Sequence, residues 1–65
     1  MKEFAQRFGK LLEERNLTQK EFAKQSGITE SAVSRYVNGF REPFYTTLVR
    51  IRTTLGCSWE DLMGE

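Results

Sequence analysis

The sequence predicts an all-α fold of five helices. Apolar residues recur at the three- and four-residue spacing of an amphipathic helix, first in Phe4, Phe8, Leu11 and Leu12. Residue types that begin and end helices divide the chain at short intervals. We find no strand pattern, no repeat and no low-complexity tract. Sixty-five residues suffice for one small domain, so residues 1–65 are interpreted as a single unit.

The first predicted helix covers residues 2 to about 15. Asn16 is expected to end it, because asparagine tolerates the left-handed conformation needed at a helix C-terminus. Leu17 would then fold back onto the apolar side of the helix. Thr18 and Glu21 have the spacing of a capping box, so a second helix is predicted to begin there.

The second predicted helix is short. It runs to about Gln25 and ends at Gly27, because glycine adopts positive φ without strain. Thr29 is the expected N-cap of the third helix, and Asn38 and Gly39 are expected to end it. The inward side of the third helix is predicted to carry Val33, Tyr36 and Val37.

Two more helices are predicted after the loop that contains Pro43. The fourth begins at residue 44 or 45 and ends at Gly56, and residues 58–63 form a capped final turn or two of helix. The inward side of the fourth helix is predicted to carry Tyr45, Leu48, Val49 and Leu55. Arg52 falls on the same side. Either its aliphatic stem lies along the core with the charge at the edge, or it pairs with a carboxylate.

The composition excludes most catalytic centres. With no histidine and a single cysteine, the chain cannot build a zinc site, a disulfide or a histidine-based dyad or triad from itself. The adjacent carboxylates at 13–14 and 60–61 lie on helix surfaces, so an enzyme is disfavoured, and we expect neither cofactor nor small-molecule ligand. No signal peptide or membrane-spanning stretch is visible, and we expect a cytoplasmic protein with no membrane partner.

The formal net charge of +1 is weak evidence for a nucleic-acid partner. The positive charge is concentrated in the middle of the chain. In residues 18–41 the basic residues Lys20, Lys24, Arg35 and Arg41 outnumber the acidic residues Glu21 and Glu30. That segment contains the second and third predicted helices.

Two short helices joined by a turn with glycine are typical of the unit that presents its second helix to the DNA major groove. Counted from Gln19, the spacing of this unit is met by Ala23, Gly27, Ile28, Val33 and Tyr36. With the flanking segments LLEERNLTQKEFAKQSGITESAVSRYVNGFREP and TLVRIRTTLGCSWEDL, residues from about 8 to 63 resemble the Cro/CI-type helix-turn-helix domain of phage and bacterial repressors. The resemblance implies a compact five-helix lambda repressor-like fold, with the helix-turn-helix at about 18–38. It also implies a homodimer on two-fold double-stranded DNA without a cofactor.

The resemblance also implies roles for individual residues. The base-reading positions of the third helix fall on Glu30, Ser31, Ser34 and Arg35, whose side chains can hydrogen-bond to base edges. The phosphate-contacting positions fall on Gln19, Thr29, Asn38 and Arg41. Each has a plainer alternative as a solvated surface residue. Glu30 in particular suits the first turn of any helix, because the helix dipole favours an acid there.

Two departures from the family pattern affect packing. The family commonly pairs an arginine in helix one with a glutamate in helix three, and this chain has Leu12 and Val37 instead. We expect these two to pack directly, since replacing both charges leaves neither stranded. Phe44 stands where a small polar cap is common. Either Phe40 and Phe44 tuck under the loop, or Phe44 joins Trp59 and Met63 in an apolar dimer patch.

These observations favour a sequence-specific transcriptional regulator, specifically a repressor. The alternative is a protein-interaction component such as an antitoxin, anti-repressor or adaptor with weak DNA binding. In that case the region of Phe44 and Trp59 would bind a protein partner.

Overall fold

A computed structural model describes residues 2–64, which form five α-helices and no strand. Their bounds are α1 (Lys2–Glu14), α2 (Gln19–Ser26), α3 (Glu30–Val37), α4 (Tyr45–Leu55) and α5 (Trp59–Met63). Helix α2 packs against α3 and α4, while α1 packs against α3 and α5. The predicted all-α fold is confirmed. Met1 and Glu65, which the predicted domain includes, lie outside the described residues. Within residues 2–64, every helix is too short or too polar to cross a membrane.

Each of the five helices contributes one large side chain that is completely buried. In chain order these are Phe8, Phe22, Val33, Ile51 and Leu62. The rings of Phe8 and Phe22 meet edge to face with their centroids 5.1 Å apart, and Phe4 tilts against Phe8 at 5.6 Å. The core is therefore a single cluster at which all five helices meet.

Helix α1 ends in the predicted way, although one residue earlier than expected. Asn16 adopts the left-handed conformation with φ 55°. Its N–H donates to the carbonyl of Glu13 at 3.0 Å, and the N–H of Leu17 donates to the carbonyl of Leu12 at 2.9 Å. This pair of bonds is the Schellman motif, and it packs Leu17 against the core.

The predicted capping box begins α2, and a second capping box begins α5. The hydroxyl of Thr18 accepts from the N–H of Glu21 at 3.0 Å, and the Glu21 carboxylate accepts from the N–H of Thr18 at 2.8 Å. Ser58 and Asp61 form the same box before α5. The hydrogen bond from the Thr18 backbone, followed by that with its side chain, holds the pKa of Glu21 below its ordinary value.

Helix α4 has the predicted bounds, but only part of its predicted inward side, Leu48 and Leu55, faces the core. The prediction that Tyr45 faces inward is wrong, because its side chain is 71% exposed. Ile51, which the predicted inward side omits, is completely buried. Together with Leu48 and Leu55 it forms the stripe that packs against the core.

The side chain of Arg52, in the last turn of α4, extends to α5, where its charged group contacts an aromatic ring and a backbone carbonyl. Its guanidinium carbon is 5.0 Å from the centroid of the Trp59 ring, and Nη1 donates to the carbonyl of Cys57 at 3.3 Å. Tyr45 stacks on Trp59, with the centroids 5.9 Å apart and the planes 19° apart. Tyr45 and Arg52 are seven residues apart on α4, which corresponds to about 10.5 Å along the helix axis. This length is close to the sum of the two distances to the Trp59 ring. The Trp59 ring therefore lies between Tyr45 and Arg52.

The loop between α3 and α4 leaves two phenylalanines in solvent. Phe40 is 83% exposed and Phe44 is 76% exposed, while Pro43 between them is buried. The alternative that both phenylalanines tuck under the loop is therefore wrong.

Leu12 and Val37 lie at the contact between α1 and α3. Leu12 is 4% exposed, and Val37 packs half-buried against the core cluster. Both line a groove of about 490 Å³ that also includes Gly9. Val37 Cγ1 is 3.7 Å from the position that a Cβ on Gly9 would occupy, an ordinary van der Waals distance, so Val37 lies directly over this part of α1.

We expect Leu12→Arg to lower the free energy of unfolding by about 3 kcal/mol or more, because it places an unpaired charge among buried apolar side chains. Gln6→Arg is the matched control. It adds the same charge at an exposed position of α1 and should change stability by no more than about 0.5 kcal/mol. Urea unfolding followed by circular dichroism measures both variants. Equal stability of Leu12→Arg and the wild type would refute this description of the α1–α3 contact.

We expect Thr29→Ala to destabilise the protein by about 1 kcal/mol, because it removes the side-chain cap of α3. The Thr29 hydroxyl accepts from the N–H of Ala32 at 3.1 Å. Thr29→Ser keeps a hydroxyl at this position and should retain most of the stability. Thermal unfolding without DNA measures this contribution, and a loss of the same size in both variants would contradict the capping role.

Candidate nucleic-acid interface

The connection between α2 and α3 is only three residues long and is held by several hydrogen bonds. Gly27 ends α2 with φ 77°, and its N–H donates to the carbonyl of Ala23 at 3.0 Å. The buried hydroxyl of Ser26 accepts from the N–H of Ile28 at 3.1 Å and donates weakly to Ala23 at 3.4 Å. From α4, Arg50 Nη1 reaches to 3.4 Å from the position of a Cβ on Gly27. The turn therefore holds α3 in a defined orientation against α2.

Sequence reasoning missed Ser26 and Arg50 as parts of this turn. The sequence did contain a signal for Ser26, because a serine hydroxyl often accepts from the backbone N–H two residues further on, here that of Ile28. Arg50 carries no such local signal, because its approach to Gly27 depends on how α4 packs.

Helix α3 is buried on one side and open on the other. Val33 and Tyr36 face the core, with 0% and 7% exposure. On the opposite side, Glu30, Ser31 and Arg35 are exposed and Ser34 is half-buried. The structure thus brings all four residues predicted to contact bases to one surface, which we call the α3 outer face. Eight residues of helix are about 12 Å long, close to the width of the DNA major groove.

The residues predicted to contact phosphates lie around the edges of the α3 outer face. Gln19 is the first residue of α2 and is half-buried, whereas Arg41 is exposed in the loop after α3. Thr29 precedes the first turn of α3, and its hydroxyl already accepts one hydrogen bond while its own proton remains available for donation. Asn38 follows the last turn of α3. Its Nδ2 donates to the carbonyl of Ser34 at 2.8 Å, which leaves its second proton with only a long 3.4 Å contact to the Ser34 hydroxyl.

The end of α3 is a second Schellman motif. Gly39 adopts φ 74°, and its N–H donates to the carbonyl of Tyr36 at 3.2 Å. The N–H of Phe40 donates to the carbonyl of Arg35 at 2.9 Å. These bonds hold the backbone of the following loop at the end of α3.

A second surface is formed by the residues predicted for dimer contacts. Phe44 is exposed, whereas Trp59 and Met63 are half-buried against the core cluster. Sequence reasoning missed Tyr45 as a member of this surface, because its spacing on α4 suggested an inward position. Its stacking on Trp59 makes it continuous with Phe44, and we call Phe44, Tyr45, Trp59 and Met63 the α4–α5 aromatic surface.

In chemical terms, the α3 outer face offers a guanidinium, a carboxylate and two hydroxyl groups on the exposed side of one helix. Such a set can donate to and accept from base edges, while amide, hydroxyl and guanidinium groups at its edges can donate to phosphate oxygens. This set of groups is suited to contacting the phosphates and the base edges of a nucleic acid duplex.

Comparison with known proteins agrees with this geometry. A family profile described as helix-turn-helix matches residues 8–62. The uncharacterized HTH-type transcriptional regulator YqaE of Bacillus subtilis (strain 168) is 37% identical over 60 residues, which cover 92% of this chain and 52% of that protein. The chain therefore spans about half the length of this curated relative. No solved structure matches the chain significantly.

The matched residues include the whole α2–turn–α3 unit and the α3 outer face. The resemblance inferred from the sequence is thereby confirmed. The chain belongs to the Cro/CI-type helix-turn-helix family of DNA-binding transcriptional regulators.

Proposed function

We propose that this chain is a sequence-specific repressor of transcription that binds a two-fold operator as a homodimer, with α3 in the major groove of each half-site. The observation that carries the proposal is the α3 outer face. Its residues are exposed on a helix whose opposite side is anchored by Val33 and Tyr36. A helix held in this way can enter the groove without losing its place in the core.

Base recognition on this proposal comes from four side chains. Arg35 has the two parallel donors that suit the O6 and N7 atoms of guanine. Glu30 can accept from the exocyclic amine of cytosine, and Ser31 and Ser34 can serve several bases. The combination favours a G·C pair in each half-site.

Phosphate contacts would set the position of the domain without selecting a sequence. Gln19 begins α2, where the first backbone N–H groups have no acceptor within the helix. Thr29, Asn38 and Arg41 lie before, at the end of and after α3. Together these residues could follow the two sugar-phosphate strands that border one major groove.

Dimerisation through the α4–α5 aromatic surface would place two α3 helices about 34 Å apart, one turn of DNA. The exposure of Phe44 and Tyr45 supports this assignment, because large aromatic side chains left in water favour contact with another apolar surface.

The same aromatic surface favours one other function, that of an antitoxin, anti-repressor or adaptor that binds a different protein. Salt dependence distinguishes the two. DNA binding through several phosphate contacts weakens steeply as salt rises, whereas binding of an apolar partner does not.

Selection of sites from a random duplex library tests base recognition directly. We expect the wild type to enrich a two-fold symmetric site and Arg35→Ala to lose preference for one G·C pair per half-site, with a loss of about 1–3 kcal/mol for each pair of contacts. Arg7→Ala is the matched control, because Arg7 pairs with Glu3 on α1 at 3.1 Å. It should enrich the same site as the wild type. A folded wild-type protein that enriches no site would refute the proposed function.

Phe44→Ser tests the dimer. Phe44 is the N-cap of α4 and makes no side-chain cap bond, so serine should supply the missing cap and leave the fold intact or slightly more stable. We expect a smaller sedimentation coefficient and weaker binding to the full two-fold site, with half-site affinity unchanged. If the sedimentation coefficient and operator affinity both stay at the wild-type values, this surface does not form the dimer.

A further inference from the structure

Three of the described helices, α1, α3 and α4, end in a Schellman motif. In one of them, the apolar side chain two positions beyond the helix is exposed to solvent. In a Schellman motif, the second residue beyond the helix lies next to the third residue from its end, and an apolar contact usually joins them. After α1 this residue is Leu17, which packs against the core, and after α4 it is Cys57, which is 6% exposed. After α3 it is Phe40, which is 83% exposed.

The motif also determines what Phe40 lies beside. Its N–H is bonded to the carbonyl of Arg35 at 2.9 Å, and the motif brings residues in these two positions together on one side of the helix. Arg35 is exposed on the α3 outer face. Phe40 therefore extends that face at its C-terminal end, with Asn38 and Arg41 on either side of it in the chain.

Phe44 belongs to a different surface although it is only four residues away. Pro43 is buried between the two phenylalanines. Phe44 directly precedes Tyr45, whose ring stacks on Trp59 of α5. The two exposed phenylalanines thus belong to different surfaces, one at the end of α3 and one on α4 and α5.

We propose that Phe40 is a DNA-contacting residue that packs against the deoxyriboses of the strand bordering the major groove in each half-site. The inference rests on the proposed function and adds an apolar contact to it. Arg35 and Arg41 flank Phe40 with positive charge, which complements a phosphate backbone.

The test compares Phe40→Ser with Phe44→Ser on a duplex that carries a single selected half-site, so that dimerisation does not contribute. Both side chains are exposed, and thermal unfolding verifies that both variants fold. We expect Phe40→Ser to bind the half-site about ten-fold more weakly, in keeping with the loss of a large buried apolar side chain. The slope of log affinity against log salt should stay unchanged, because no phosphate contact is lost. Phe44→Ser should bind the half-site like the wild type.

Hydroxyl-radical footprinting supplies a second readout, because the radical attacks exposed sugars. Wild type and Phe44→Ser should protect the same sugars, and Phe40→Ser should lose protection of one or two of them. Unchanged affinity and footprint for Phe40→Ser overturn the proposal, and so does a changed sedimentation coefficient with normal half-site binding. Arg35→Ala in the same assay distinguishes a failure of the Phe40 contact from a failure of the proposed function. If it weakens binding while Phe40→Ser does not, only the Phe40 contact is wrong. If the wild type protects no site, the proposed function fails as well.

Discussion

The edge-to-face contact between Phe8 and Phe22 is the interaction on which the rest of the structure depends. Both rings are completely buried, and their centroids are 5.1 Å apart. The contact joins α1 to α2, and the three-residue turn then transmits the position of α2 to α3. Such a pair contributes about 0.5–1.5 kcal/mol beyond its buried area. That is a large share for a chain of this size, whose core supplies only about 3–5 kcal/mol. The position of α3 therefore depends in part on two phenylalanines that lie outside it.

The ends of the helices could be predicted from the sequence because their signals are local. Thr18 with Glu21, Asn16, Thr29 and Gly27 each act within a few residues of their own position, through a cap or a left-handed backbone. The four positions of the α3 outer face came from the family resemblance, and the burial of Val33 and Tyr36 on the opposite side agrees with them.

The inward side of α4 could not be predicted in this way. Its apolar residues are spread around the helix, so two stripes one position apart both fit the spacing. The choice between Tyr45 and Ile51 depends on α5, because Trp59 stacks on Tyr45 outside the core and leaves the inward place to Ile51. The exposure of Phe40 could not be predicted for a similar reason, because it depends on how the loop after α3 packs.

Two arginines at the end of α4 show how charge is accommodated in so small a core. Arg15, which directly follows α1, donates from Nε to the carbonyl of Leu55 at 2.8 Å, and Arg52 donates to the carbonyl of Cys57 at 3.3 Å. Cations are favoured at a helix C-terminus, where carbonyl groups lack partners. Arg52 Nε remains buried without a partner, a penalty of about 1–3 kcal/mol. The contact with the Trp59 ring, about 0.5–2 kcal/mol, and the bond to Cys57 offset much of this penalty.

The net charge of +1 constrains how such a domain can recognise DNA. A strongly basic protein is attracted to any duplex by its overall field, but this chain has almost no such field. If the proposed function holds, affinity comes from short-range contacts on the α3 outer face and from the pairing of two copies, and a sequence without matching half-sites gains little. On that proposal, weak attraction to DNA in general and dependence on a dimer act in the same direction. Both raise the ratio of specific to non-specific binding, which is the quantity that matters among many competing sites.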